Sequence, residues 1–181
     1  MTNLIVIVNG YPQSGKDTAT GYLIEAMSEM AWSCAQFSII DPVRDFLFRI
    51  GVRCIDKTPE QRKLMSDIMD RLEAHDHALS MNVLERVEAW SLNQNTYMDR
   101  AAFIHVRQIS AINWIKQSVT NAMVVTLGIE RSGTDQGLSN AADSGVWNYH
   151  YDCVIGNNSS LSEFQWSCRA IAEFLDLEAR R

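Results

Sequence analysis

The chain has 181 residues, of which 46% are hydrophobic and 21% are charged, and its formal net charge is −6 at pH 7. A chain of this length can bury about two-thirds of its unfolded surface, so we expect a single domain over residues 1–181. The negative charge argues against broad non-specific binding to nucleic acid, although a local basic groove would survive that average.

The cysteines and the apolar runs indicate the cellular compartment of the protein. Cys34, Cys54, Cys153 and Cys168 are scattered without Cys-x-x-Cys or metal-ligand spacing, which favours structural thiols in a reducing compartment. No apolar run approaches the roughly 18 residues of a membrane span, and no N-terminal stretch has the parts of a signal peptide. We therefore expect a cytoplasmic protein with no membrane partner.

The first predicted strand leads into a glycine-rich loop. The apolar run from Leu4 to Val8 predicts a strand buried on both faces of a parallel sheet. The string "NGYPQSGKDT" follows, and Gly10, Gly15 and Lys16 in it have the spacing G-x-x-x-x-G-K. In such a loop, backbone N–H groups surround phosphate oxygens at a helix N-terminus, and the lysine reaches the β- and γ-phosphates. Apolar residues at helical spacing after Lys16 predict that helix.

Asp17 departs from this pattern, because a Ser or Thr hydroxyl normally ligates magnesium at its position. A carboxylate is a hard oxygen ligand that can also hold magnesium, directly or through water. The Thr18 hydroxyl would cap the first turn or help at the metal. We therefore predict Asp17 and Thr18 as metal-site residues. The predicted ATP phosphate-binding residues are Gly10, Ser14, Gly15, Lys16, Asp17 and Thr18.

The remaining predicted elements alternate between strands and helices, which predicts a parallel sheet covered on both faces. Asp41 and Pro42 predict the N-cap and the first residue of a helix that ends before Gly51. The other elements, in chain order, are a strand over 34–40, a polar helical stretch over 58–93, a strand over 101–106, a helix from 109, a strand over 122–129, a loop over 131–145, a strand over 151–156 and a helix over 160–175.

With "SGKDT", "AAFIHVRQISAI", "GIER" and "YDCVIGNNSSLSEF", the chain resembles the phage-type deoxynucleoside monophosphate kinases. It equally resembles the phage DNA kinases that phosphorylate 5-hydroxymethyluracil in DNA. The resemblance spans nearly the whole chain and implies an α/β P-loop kinase fold with a five-stranded parallel sheet, helices on both faces and a short lid. It further implies ATP and Mg²⁺ as cofactors, an acceptor region over about 41–95 and a lid over about 131–145.

Three basic residues follow strands at the edge where open α/β sheets bind ligands. Phosphoryl transfer mainly requires positioning and positive charge around the migrating group. Besides Lys16, the resemblance implies that Arg107 grips the acceptor phosphate and that Arg131 is the lid arginine. A surface ion pair at Arg107 and a solvated loop arginine at Arg131 are the alternatives. In these families, acidic and proline residues follow the arginine at the position of Arg107. In this chain Gln108, Ile109 and Ser110 replace them.

Further site residues are predicted after the second strand and in the helical stretch. Asp41 would accept the proton of an attacking hydroxyl or hold magnesium through water, or it would serve only as a helix cap. The resemblance implies Arg44 and Arg62 as acceptor-binding residues. The predicted catalytic residues are thus Lys16, Asp41, Arg107 and Arg131.

Asn157 and Asn158 resemble a turn whose backbone groups lie against the nucleotide base, which makes Asn157 the predicted base-binding residue. Turn structure alone would also account for it. His105 lies in an apolar strand and is expected to be a satisfied core histidine. His75 and His77 are two residues apart and do not share a helix face, so we predict no metal site there.

The predicted function is ATP-dependent transfer of the γ-phosphate to a nucleotide, a free deoxynucleoside monophosphate. One alternative is a phage DNA kinase acting on a 5-hydroxymethyl-pyrimidine in DNA, a step of DNA hypermodification in the host cytoplasm. Another is a nucleotide-binding protein without catalysis, which the missing acidic string after Arg107 suggests. The sequence leaves the base and the oligomeric state open, with a homodimer among the options.

Overall fold

The structure is a computed structural model that describes residues 3–54, 58–93, 97–134 and 145–181. Its strands are β1 (Asn3–Asn9), β2 (Trp32–Ser38), β3 (Asp99–His105), β4 (Met123–Glu130) and β5 (Cys153–Gly156). Its helices are α1 (Lys16–Glu29), α2 (Asp41–Arg49), α3 (Pro59–Ala74), α4 (Ala78–Leu92), α5 (Ile109–Ser118) and α6 (Leu161–Ala179), with a short 3-10 helix at Val146–Asn148.

The strands form one parallel sheet in the order β2-β3-β1-β4-β5. In the central strand, Ile7 is paired with Ile104 of β3 on one side and with Thr126 of β4 on the other. Leu4 to Val8 are buried, as expected for a strand covered on both faces. The predicted five-stranded parallel sheet is confirmed.

Apolar cores lie on both faces of the sheet. On one face, α1 and α6 pack through residues such as Leu23 and Phe164. On the other face, α2 to α5 contribute residues such as Val43, Met69 and Ile112. All strands run in the same direction, so the ends of β1, β3 and β4 meet at a single edge, where the glycine-rich loop begins.

The chain between β2 and α2 differs from the prediction. β2 ends at Ser38 instead of residue 40, and the Arg44 N–H donates to Ile40 O, so the helix starts one residue early. The prediction of Asp41 as the N-cap is wrong: Ile40 is the N-cap, and Asp41 is the first helical residue. The Asp41 carboxylate instead reaches back and accepts a hydrogen bond from the Ser38 N–H, which closes the turn.

The helical stretch over 58–93 is divided into α3 and α4. Asp76 and His77 have φ values of 54° and 53°, a left-handed conformation that cannot continue the helix. The buried carboxylate of Glu73 supports this break, because it accepts hydrogen bonds from the Ser80 N–H and hydroxyl and lies 3.0 Å from His77 Nδ1.

Two global features concern the thiols and the helices. Cys34, Cys54, Cys153 and Cys168 are all free thiols, and burial raises the pKa of Cys34 and Cys168 to about 11. In the part of the chain that the structure describes, every helix is too short or too polar to cross a bilayer.

Asp152 fixes the start of β5 against β4 through hydrogen bonds, and its replacement tests how much they stabilise the fold. Its Oδ2 accepts from the Thr126 N–H at 2.8 Å and from the Thr126 hydroxyl at 2.7 Å. Burial disfavours the carboxylate, but the Thr126 donors and the Lys116 charge outweigh burial and lower the pKa of Asp152. Asp152→Ala should lower the free energy of unfolding by about 1 to 2 kcal/mol at pH 7, because buried Thr126 loses its acceptor.

The pH dependence follows from the lowered pKa. The stabilisation is present above the unfolded carboxyl pKa of about 3.9 and is lost as the pH falls through the lower folded value. The difference between wild type and variant in urea unfolding should therefore shrink at acid pH. Asp67→Ala is the control, because its exposed pair with Lys63 contributes little. Equal stability of Asp152→Ala and wild type at pH 7 would contradict this role.

Candidate phosphate-binding site

The glycine-rich loop joins the end of β1 to the start of α1, as predicted. Gly10 and Gly15 have φ values of 150° and 98°, and both are closely approached by other parts of the chain. A Cβ on Gly10 would lie 2.4 Å from the carbonyl oxygen of Ile129, and one on Gly15 would lie 2.4 Å from Asn157 Nδ2. Only glycine therefore fits at positions 10 and 15 without displacing neighbouring atoms.

Lys16 lies over its own loop at the first residue of α1. Its Nζ donates to Gly10 O at 2.7 Å and to Tyr11 O at 2.6 Å. The Ser14 hydroxyl is buried and lacks a hydrogen-bond partner among the residues that the structure describes. A loop with a lysine, an unsatisfied hydroxyl and a helix N-terminus fits a polyphosphate chemically.

Asp17 and Thr18 follow in the first turn of α1, and both are exposed. Asp17 Oδ1 lies 3.3 Å from His105 Nδ1, while His105 Nε2 lies 2.9 Å from the hydroxyl of Thr20. The expectation of a satisfied histidine at position 105 agrees with these contacts. The sequence reasoning missed that the imidazole reaches the phosphate loop, because this contact joins residues far apart in the chain.

The donor set fits a divalent cation bound together with nucleotide phosphates. Asp17 and Thr18 supply hard oxygens beside the loop, and phosphate oxygens would complete the coordination. A group of three or more His, Cys, Asp or Glu side chains able to hold a metal by themselves does not occur in the described ranges. Magnesium bound there would neutralise negative charge on the nucleotide phosphates.

Asn157 holds the loop against the end of β5. Its Nδ2 donates to Ser14 O at 2.9 Å, and its backbone N–H donates to Glu130 O at 2.7 Å. Asn158 Oδ1 accepts from the Ser132 N–H at 2.7 Å, which fixes the chain just after β4. The Asn157 side chain thus braces the phosphate loop, and its contact with a nucleotide base stays a prediction.

Arg107 and Arg131 follow β3 and β4 at the edge that carries the loop. The carbonyl of Arg107 accepts from Asn9 Nδ2 at 3.2 Å, so the end of β3 is tied to the residue before Gly10. Arg131 is exposed, and its carbonyl accepts from Thr134. The predicted lid over 131–145 lies mostly outside the described residues, since 135–144 belong to the undescribed part.

Asp41 pairs with two arginines. Arg44 Nη1 lies 3.3 Å from its Oδ1, and Arg86 Nη1 of α4 lies 3.5 Å from its Oδ2. The Arg86 guanidinium also lies over the ring of Phe37, 5.9 Å from the centroid. Sequence reasoning missed Arg86, because nothing in a polar helix distinguishes one arginine. Arg62, in the first turn of α3, donates its backbone N–H to Thr58 O.

A cluster of aromatic rings lies beside the phosphate loop. Trp147 packs edge-on against Tyr11 of the loop and against Tyr151, with centroid separations of 6.4 and 5.5 Å, and Tyr149 adjoins Tyr151 at 5.1 Å. Tyr151 and Trp147 also cover Gly128 of β4. Burial raises the pKa of Tyr151 well above its usual range, although a hydrogen bond with Asn9 opposes the shift. The aromatic cluster was not predicted.

No family model matches the chain, and no curated protein matches it. Solved structures are similar in fold. A thymidylate kinase from Ehrlichia chaffeensis is 14% identical with a TM-score of 0.56, and the match covers 97% of this chain and 100% of that one. A protein from Chloroflexus aurantiacus, provisionally titled a kinase, is 13% identical with a TM-score of 0.55, covering 99% of this chain and 97% of that one. These likenesses establish the predicted α/β P-loop kinase fold.

Proposed function

We propose that this protein is an ATP- and magnesium-dependent phosphotransferase that acts on a deoxynucleoside monophosphate. The observation that carries the proposal is the loop from Gly10 to Lys16, whose closely packed glycines, unsatisfied Ser14 hydroxyl and lysine suit the β- and γ-phosphates of ATP. Lys16 would move from its carbonyl partners onto the phosphates. The charge of Lys16 would then stabilise the transferred group.

The acceptor is proposed to bind on the face of the sheet that carries α2 to α5. Arg107 follows β3 next to the loop and is suited to grip a phosphate dianion in a bidentate manner. Arg131, after β4, would close over the transferred phosphates. A monophosphate attacks through an oxygen that is already ionised, so the transfer needs no general base to remove a proton. Asp41 would instead orient Arg44 and Arg86 through the observed ion pairs.

The aromatic cluster supports an acceptor with a planar base. Rings offer a surface on which a base stacks, and Trp147 and Tyr11 are both partly exposed beside the loop. Asn157 stays the proposed contact for a base at the end of β5, and Arg62 stays a proposed acceptor residue in α3.

A DNA kinase and a non-catalytic nucleotide-binding protein are the rival functions. Incubating the protein with labelled ATP and a panel of deoxynucleoside monophosphates, and separately with DNA containing 5-hydroxymethyluracil, distinguishes them. Label in a diphosphate product supports the proposal, and label only in DNA supports the rival kinase. Nucleotide binding without label transfer to any acceptor would contradict both kinase functions.

Arg107→Lys tests how the acceptor is held. Lysine cannot reproduce a bidentate contact, so the variant should raise the KM for a monophosphate by roughly tenfold or more while the KM for ATP changes little. Arg169→Lys is the matched control, because Arg169 pairs with Glu29 and Glu173 on the opposite face.

Salt dependence gives the second discrimination between acceptors. A monophosphate acceptor should show a modest effect of salt, whereas a DNA acceptor would lose affinity steeply, with a slope of about 0.7 to 0.9 per phosphate contacted. Steep salt dependence without turnover of free monophosphates would overturn the proposed acceptor.

A further inference from the structure

We infer that His105 is a positioning residue that holds the Asp17 carboxylate in place for a divalent cation at the phosphate loop. The inference rests on the proposed function, and it explains how a carboxylate can stand where this loop normally has a hydroxyl. The observation is a chain of contacts from Thr20 through the imidazole to Asp17.

The polarity of this chain follows from what each partner can donate. His105 Nδ1 lies 3.3 Å from Asp17 Oδ1, and because an ionised carboxylate only accepts, a proton on Nδ1 makes this approach favourable. In a neutral ring, Nε2 then accepts from the Thr20 hydroxyl, which is 2.9 Å away. Thr20 is fully buried in α1, so the far side of the ring is fixed by a rigid element.

The backbone that carries the ring is also fixed. His105 is paired in register with Val8 of β1 and Ser38 of β2, and its carbonyl accepts from the Ile39 N–H. Its side chain is only 11% exposed, whereas that of Asp17 is 83% exposed. The imidazole is therefore the more buried member of the pair, and the exposed Asp17 carboxylate is the member that it would orient.

The physical benefit is pre-organisation. An exposed aspartate in a first helical turn loses rotamer freedom when it binds a cation, and an imidazole held beside one carboxylate oxygen would remove part of that cost. In the cation-bound state the carboxylate would offer its other oxygen, Oδ2, to the cation or to its water. Hydrogen bonds from a second residue to a ligating group typically change metal affinity by roughly 10- to 100-fold. A shorter hydroxyl side chain at position 17 would not require this support.

Two amide variants separate the two ring nitrogens. His105→Asn keeps an N–H donor near the Nδ1 position, whereas His105→Gln keeps one near Nε2 and loses the contact with Asp17. The measurement is Mn²⁺ affinity of the protein·ADP complex by electron paramagnetic resonance, with ADP affinity in EDTA measured separately. We expect His105→Gln to weaken Mn²⁺ binding roughly tenfold and His105→Asn to weaken it less than about threefold. ADP affinity in EDTA should stay within about twofold for both.

Asp17→Asn identifies the route of the effect. If His105 acts through Asp17, His105→Gln should add nothing further in an Asp17→Asn background. Thr20→Val retains the imidazole but removes the hydroxyl that contacts Nε2, and it should weaken Mn²⁺ binding about threefold. It replaces His105→Gln as the test if His105→Gln does not fold. A thermal melt of each variant reports folding.

The outcomes separate this inference from the proposed function. Mn²⁺ binding as in wild type by a folded His105→Gln protein, or by Thr20→Val where His105→Gln is unfolded, overturns the positioning role and leaves the kinase proposal standing. An equal loss in His105→Asn and His105→Gln likewise shows a packing role instead. Failure of the wild-type protein to bind ADP would overturn the proposed function and the positioning role together.

Discussion

Replacing Lys16 with alanine is expected to lower the rate of phosphoryl transfer by roughly a thousandfold or more, equivalent to about 4 kcal/mol of barrier, while the fold stays intact. Lys16 Nζ contacts the carbonyls of Gly10 and Tyr11 in the structure, so the variant loses hydrogen bonds within a surface loop and no part of the apolar cores. Catalysis loses a charge placed where the transferred phosphoryl group becomes more negative.

The measurement for Lys16→Ala is single-turnover transfer from labelled ATP, with circular dichroism melts to report folding. Lys116→Ala is the matched control, since it removes the same charge near Asp152, before β5, at the opposite edge of the sheet. Full turnover by a folded Lys16→Ala protein would refute the assignment of the phosphate loop. Loss of transfer in both lysine variants would point to a general effect of charge.

The glycine-rich loop between β1 and α1 could be predicted because its signals are local. The strand, the glycine spacing and the helix all lie within residues 3–29, and each restricts the backbone by itself. The sheet could be predicted for the same reason, since its strands are short apolar runs separated by helices. Even so, β2 was misplaced by two residues, because Ile39 and Ile40 are apolar and yet form a turn that the Asp41 carboxylate closes.

The supports of the loop could not be predicted, because they join distant parts of the chain. The Asn157 side chain meets Ser14 across 143 positions, and the His105 ring meets Thr20 across 85. Periodicity reports which face of an element is apolar but not which polar group lies opposite. The break between α3 and α4 was missed for a related reason: the left-handed residues Asp76 and His77 are supported by the buried Glu73, whose partners are fixed only in the folded chain.

Gly10 should be the least replaceable glycine of the loop, because its added Cβ would meet backbone. The carbonyl oxygen of Ile129 would lie 2.4 Å away and the Ser14 hydroxyl 2.7 Å away, and the φ of 150° is itself unfavourable for alanine. Gly10→Ala should therefore displace the loop from β4, lower the free energy of unfolding by roughly 2 kcal/mol or more and weaken ADP binding by at least about tenfold. Gly15→Ala should lower the free energy of unfolding by less than Gly10→Ala. Its added Cβ would meet the end of the Asn157 side chain, which can move more easily than backbone.

Gly21→Ala is the matched control for Gly10→Ala, because a Cβ on this helical glycine meets nothing within 4 Å. Alanine there should stabilise α1 by about 0.5 to 1 kcal/mol and leave ADP affinity unchanged. Calorimetric titration with ADP and urea unfolding of the three glycine variants measure both quantities. Gly10→Ala is expected to lower both ADP affinity and stability. The deciding comparison is therefore ADP affinity without urea and at a temperature well below the unfolding transition, where the variant is folded. Wild-type affinity of Gly10→Ala under those conditions would show that the close approach of the loop to Ile129 is not required for phosphate binding.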